Sequence, residues 1–93
     1  MFDNRRSEIE IIGEILQLSR NGARKTEILY QGNLSYTQLQ NYLAFLLDKD
    51  VLETKTISKP VKNGNNGISK IYETTDKGLA FLEDIDKVLS YIK

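Results

Sequence analysis

Between Ile28 and Leu47 the chain reads ILYQGNLSYTQLQNYLAFLL, without a single charge, although 28% of all its residues are charged. Two local signals inside this segment leave little choice of structure. Ser35 stands three residues before Gln38, the spacing of a capping box in which each side chain takes up the other's free backbone N–H. Leu34 and Leu39 bracket that box at the two positions of a hydrophobic staple, so a helix begins at Ser35. Gly32 can close a short preceding helix, about Lys25 to Gln31, by taking the left-handed conformation. Two helices joined by so short a glycine-containing connection make a helix-turn-helix.

The flanking residues complete the pattern. Ile9, Ile12, Ile15 and Leu16 recur at spacings of three and four and predict a first helix over Ser7 to Ser19, capped by Ser7 and stopped at Asn21-Gly22. After Asp50 the period changes. VLETKTIS (51–58) and ISKIYETT (68–75) are rich in Val, Ile, Thr and Tyr, as strands are, and KPVKNGNNG between them predicts a long hairpin tip. Thr75 or Asp76 can cap a last helix running to the C-terminus. The expected fold is α+β, mainly α. It is a winged helix-turn-helix of three helices and a two-stranded wing over 1–75, followed by a C-terminal dimerisation helix over 76–93.

On the helix that starts at Ser35, Tyr36, Leu39, Leu43, Leu46 and Leu47 fall on one stripe, with Thr37, Gln38, Asn41, Ala44 and Asp48 opposite. A helix that merely covered a core would favour Glu and Lys on that outer side. Asn and Gln instead pair with adenine, and the Thr methyl meets thymine. The second helix of a helix-turn-helix enters the major groove by its N-terminal residues. Ser35, Thr37, Gln38 and Asn41 are therefore the expected base-reading residues. The face has no Arg for guanine. Phe45 also falls on the outer side, where an aromatic ring needs something to cover it.

The net charge of zero is a sum of opposed blocks. Arg20, Arg24 and Lys25 outnumber Glu27 in residues 20–40, and Lys55, Lys59, Lys62 and Lys70 occupy 54–70 without any acid. Arg24, Lys25, Lys55, Lys59, Lys62 and Lys70 are the expected phosphate contacts, at the start of the second helix and along the wing. In the last helix Leu82, Ile85, Leu89 and Ile92 are spaced as a heptad seam, with Val88 beside them. A domain this small is not expected to cover that whole stripe. The five residues are expected at an antiparallel, coiled-coil-like contact with a second copy.

Catalysis has little to stand on. There is no His and no Cys, which removes the commonest general base and the commonest transition-metal ligands. Ser90-x-x-Lys93 has no companion motif. Glu83, Asp84 and Asp86 read as a solvated acidic face beside the seam rather than a metal site. No cofactor and no small-molecule ligand are expected. No apolar run approaches a membrane span and no signal peptide is visible, so the expected location is cytoplasmic, associated with the nucleoid.

The sequence resembles small archaeal winged-helix DNA-binding proteins, a family of transcriptional regulators and of dimeric chromosomal proteins with a C-terminal coiled coil. The resemblance lies in EIIGEIL (10–16), ARKTEILYQGNLSYTQLQNYLAFLLDKDVLE (23–53) and YETTDKGLAFLEDI (72–85). Its most specific part is KTEILYQGNLSYTQLQNYL, where Thr26, Ile28, Asn33, Leu34, Ser35, Tyr36, Tyr42 and Leu43 match in order and spacing. It implies binding of double-stranded DNA through the third helix and the wing, usually as a homodimer. The neutral charge and the long wing favour a regulator over an architectural chromatin protein. A winged helix used as a protein-interaction module is the other reading.

Overall fold

The computed structural model describes residues 6–60 and 66–92. In chain order the elements are α1 (Glu8–Leu18), β1 (Ala23–Arg24), α2 (Lys25–Gln31), α3 (Tyr36–Asp48), β2 (Leu52–Pro60), β3 (Asn66–Thr74) and α4 (Asp76–Ile92). The expected order of helices and strands is present. β1 was not anticipated, because two residues are too few to carry an alternating pattern.

Capping side chains set the helix starts. Ser7 Oγ accepts from the Glu10 N–H at 3.2 Å while the Glu10 carboxylate accepts from the Ser7 N–H at 3.1 Å. Ser35 and Gln38 make the same reciprocal pair, at 3.1 and 3.0 Å. At α4 it is Thr75 that caps. Its Oγ1 accepts from the Gly78 N–H at 3.0 Å and donates to the Asp50 carbonyl at 2.7 Å.

The helix ends correct one expectation. Gly32 keeps a right-handed φ of −78°, and the left-handed residue is Asn33, at φ 53°. The Asn33 N–H donates to Tyr30 O at 3.2 Å and the Leu34 N–H to Leu29 O at 3.1 Å. That is a Schellman motif with Asn33 in the place glycine usually takes. α3 closes alike, with Asp50 at φ 60° and Val51 N–H donating to Leu46 O at 3.2 Å.

The sheet has the order β1-β3-β2 and is antiparallel throughout. Its ladder runs from Leu52 opposite Thr74 to Pro60 opposite Asn66. The strands thus extend further into the expected hairpin tip than their composition suggested. Residues 61–65 of that tip lie outside the described residues.

The core joins Ile11, Ile15 and Leu16 of α1 to Ile28, Leu34, Leu39, Leu43 and Leu46 of the helix-turn-helix. Val51, Leu52 and Tyr72 enter from the wing side. Ile9 and Ile12, expected on the buried stripe of α1, are only partly buried, and Ile11 takes the deeper place. Thr74 locks the layers together. Its Oγ1 donates to the Leu16 carbonyl at 2.6 Å, and its N–H donates to Ser19 O at 2.9 Å.

α4 departs most from expectation. Leu82 and Ile85, placed on the dimer seam by their spacing, are 6% and 1% exposed and belong to the chain's own core. A heptad pattern states which residues share a face, not whose surface covers it, and here α1 does so. Leu89 is half-buried against the same core, while Val88 and Ile92 are exposed. Gly78 lets the helix start close to the wing. A Cβ there would stand 2.0 Å from Val51 O and 2.7 Å from Thr74 Cγ2.

Within a helix, Gly→Ala ordinarily stabilises by about 0.5–1 kcal/mol. Gly78→Ala should do the opposite and cost more than about 2 kcal/mol, because the first turn of α4 must move off the Val51 backbone. The check is a urea melt, read as a lower midpoint at unchanged slope.

Candidate nucleic-acid interface

The four expected base-reading residues, Ser35, Thr37, Gln38 and Asn41, are all exposed on the first turns of α3. They are not equivalent. Gln38 Oε1 is held by the Ser35 N–H and Ser35 Oγ by the Gln38 N–H. A bidentate pair with adenine needs both ends of an amide, so Gln38 can read in that way only by releasing the cap. Among the described residues Thr37 and Asn41 have no side-chain hydrogen-bond partner, and both are exposed. Asn41 lies almost opposite the Leu39–Leu43–Leu46 stripe, at the centre of the outer face.

Tyr36 corrects the sequence reading. It was expected in the core stripe but is 61% exposed. Its hydroxyl accepts from Gln40 Nε2 at 3.1 Å, and the Lys25 ammonium lies 5.1 Å from the centre of its ring. A signal was present: one turn on from Tyr36 stands polar Gln40, whereas one turn on from Leu39 stands Leu43. Tyr36 thus brings the start of α2 to the start of α3 and places Lys25 beside the outer face of α3. Tyr30, on α2, is also exposed. Burial, and then the Glu8 carboxylate, raise the Tyr42 phenol above its ordinary pKa, with Arg6 opposing.

The six expected phosphate contacts are dispersed. Arg24 is exposed at β1, and its backbone N–H donates to Glu27 at 3.0 Å in the first turn of α2. Arg24 and Lys55 both flank Ile71 across the sheet. Lys55, however, is neutralised by two acids. It hydrogen-bonds to Glu73 and stands 3.6 Å from Glu53. The Glu73 hydrogen bond and then its charge raise Lys55 above the usual lysine range, so it stays protonated within the pair. The run 54–70 is acid-free along the chain but not in space, because the register brings the acids beside it.

Lys70 sits opposite Thr56, one place out of step with Lys55, and so on the other face of the wing. Its ammonium lies 5.6 Å from the Tyr72 ring centre. Lys59 occupies the ladder position opposite Gly67. Lys62 lies outside the described residues.

Phe45 remains partly uncovered, at 46% exposed, with the Lys49 ammonium 5.8 Å from its ring centre. It borders a shallow apolar groove that Val51, Ala80 and Phe81 continue onto α4. Among the described residues no cluster of acids, His or Cys is arranged to hold a metal ion. No described helix is long and apolar enough to cross a membrane.

A helix-turn-helix packed on a β-hairpin wing defines the class. The chain belongs to the winged helix-turn-helix family, whose model matches residues 5–93. It is similar to an uncharacterized protein of Methanocaldococcus jannaschii, with 34% identity over 89 residues. That match takes in 95% of this chain but 36% of the relative, so the chain spans about a third of that protein's length. Among solved structures it is similar to Sso10a-2, a DNA-binding protein from Sulfolobus solfataricus, at a TM-score of 0.71 and 25% identity. The superposition covers 92% of this chain and 81% of that one.

Capping and reading separate by substitution. Ser35→Ala should lower stability by about 1 kcal/mol, as loss of an N-cap does. Asn41→Ala should stay within about 0.5 kcal/mol of the parent, since its exposed side chain has no hydrogen-bond partner among the described residues. Equal losses in urea melts would give Asn41 a structural role instead.

Proposed function

We propose that this chain binds double-stranded DNA as a homodimeric, sequence-preferring transcriptional regulator. The first turns of α3 enter the major groove, and the wing, with Arg24 and Lys25, meets phosphates. The observation that carries this reading is the outer face of α3. It is free of charge through Leu47, it is held at its start by a capping box, and it presents Thr37 and Asn41 with unoccupied hydrogen-bonding groups. The similarity to Sso10a-2, itself described as a DNA-binding protein, supports it.

Asn41 is the principal reader, with Thr37 beside it, while Ser35 and Gln38 chiefly fix the helix start. Arg24, Lys25, Lys59, Lys62 and Lys70 are the phosphate contacts proposed once Lys55 is paired. The homodimer rests on α4, where Val88, Tyr91 and Ile92 are 46%, 89% and 70% exposed beside half-buried Leu89. Such a pair would offer two reading helices to two half-sites. The protein would then work in the cytoplasm, on the nucleoid. A second reading, docking of another protein on the Phe45 groove, is favoured by that uncovered ring alone.

Titration of a random duplex at several salt concentrations tests the central claim. The logarithm of affinity should fall with the logarithm of salt by about 0.9 per phosphate contact. On a selected site, Asn41→Ala should lose about 1–3 kcal/mol of discrimination without changing that slope. Lys59→Glu with Lys62→Glu should weaken every sequence alike. No duplex binding at about 50 mM salt would leave the Phe45 groove as the better reading. For the dimer, Val88→Glu with Ile92→Glu should yield a monomer in sedimentation at tens of micromolar, with the fold retained because both sites are exposed.

A further inference from the structure

Arg6 stands one residue before the cap of α1, and its guanidinium reaches the turn between α2 and α3. It donates to the Gly32 carbonyl and, at 3.4 Å, to the Asn33 carbonyl. From its other side it pairs with Glu14, two turns further along α1. No backbone N–H in the turn reaches the Gly32 carbonyl, and Gly32 is buried. A buried acceptor of that kind is costly to leave unpaired, and a charged donor satisfies it more strongly than a neutral one.

The place matters more than the bond. Gly32 and Asn33 form the turn of the helix-turn-helix, and Asn33 is in the left-handed region, which asparagine takes at helix ends in place of glycine. The Schellman bonds of Asn33 and Leu34 join the turn to α2 alone. Leu34 packs the turn against α1 through the core, and the Arg6 contacts add polar ties from the turn backbone to the start of α1. Glu14 restrains the guanidinium in turn, so that one side chain joins α1, the end of α2 and the approach to α3. Arginine suits the task because its planar fork offers several donors in fixed directions, whereas a lysine ammonium is a single point.

We propose that Arg6 is a positioning residue for the reading helix. It sets the angle at which α3 leaves the turn, and it touches neither base nor phosphate. The proposal rests on the DNA-reading role given above, and its test separates the two. Amide hydrogen exchange of the free protein reads the clamp without any DNA. In Arg6→Gln, the Asn33 and Leu34 amides should exchange about tenfold faster, while those of Ile15 and Leu46 keep their protection. Glu14→Gln should affect the same two amides in the same direction, and less.

On duplex DNA, Arg6→Gln should lower the ratio of selected-site to random-site affinity by about tenfold at an unchanged salt slope. If Arg6→Gln does not fold, Arg6→Lys serves. It keeps the charge but not the fork, and it should give intermediate exchange at the same two amides. Unchanged exchange at Asn33 and Leu34 would overturn the proposal, and so would a salt slope reduced by about 0.9, which would place Arg6 on a phosphate. A parent protein that binds no duplex, with exchange still accelerated in Arg6→Gln, would refute the DNA reading and leave the clamp standing.

Discussion

One helix is closed and another opened within the residues from Gly32 to Ser35, and the orientation of the outer face of α3 depends on that turn. Neither helix has length to spare, and α2 on its own would be too short to persist in water. Their stability comes from burying Ile28, Leu34, Leu39 and Leu43 together, which works only if the chain reverses at one place and at one angle. Asn33 supplies the reversal, Ser35 and Gln38 the new start, and Arg6 the tie to α1. The outer face of α3 then follows, because a helix buried along one stripe has no freedom to rotate.

The electrostatics of the wing show how a sheet rearranges charge. Along the chain, residues 54–70 are basic and unopposed. Across the ladder, Glu53 faces Glu73, and Lys55 lies beside both. Two carboxylates directly opposite one another repel, and the neighbouring ammonium relieves that repulsion. Lys55 is thereby spent on the sheet, and Lys70 stands on the other face of the wing. A neutral protein that binds a polyanion would have to do so through a few well-placed cations, which suits a regulator better than a coat.

α4 divides its apolar residues between two tasks. Gly78, Leu82 and Ile85 serve the chain's own core, and the helix is anchored where Thr75 joins the Asp50 carbonyl to the Gly78 N–H. Beyond Ile85 only Leu89 still packs on the core, and Val88, Tyr91 and Ile92 are exposed among the described residues. That change from inward to outward duty within one helix is what a small domain needs if it is to fold by itself and still associate.

The order of the helices and the two long strands, the capping box at Ser35 and the place of the turn were legible because each depends on residues within a few positions of one another. Caps, staples and strand periods are local physics, and they leave local marks. The exposure of Tyr36, the pairing of Lys55, the place of Arg6 and the burial of Leu82 and Ile85 were not legible. Each depends on what another element brings alongside: Lys25 for Tyr36, β3 for Lys55, the far turn for Arg6 and α1 for the two α4 residues. The sequence by itself determined which residues share a face and where each helix begins. Only the tertiary structure decided which faces are covered and which charges are free, because burial and pairing are properties of two surfaces at once.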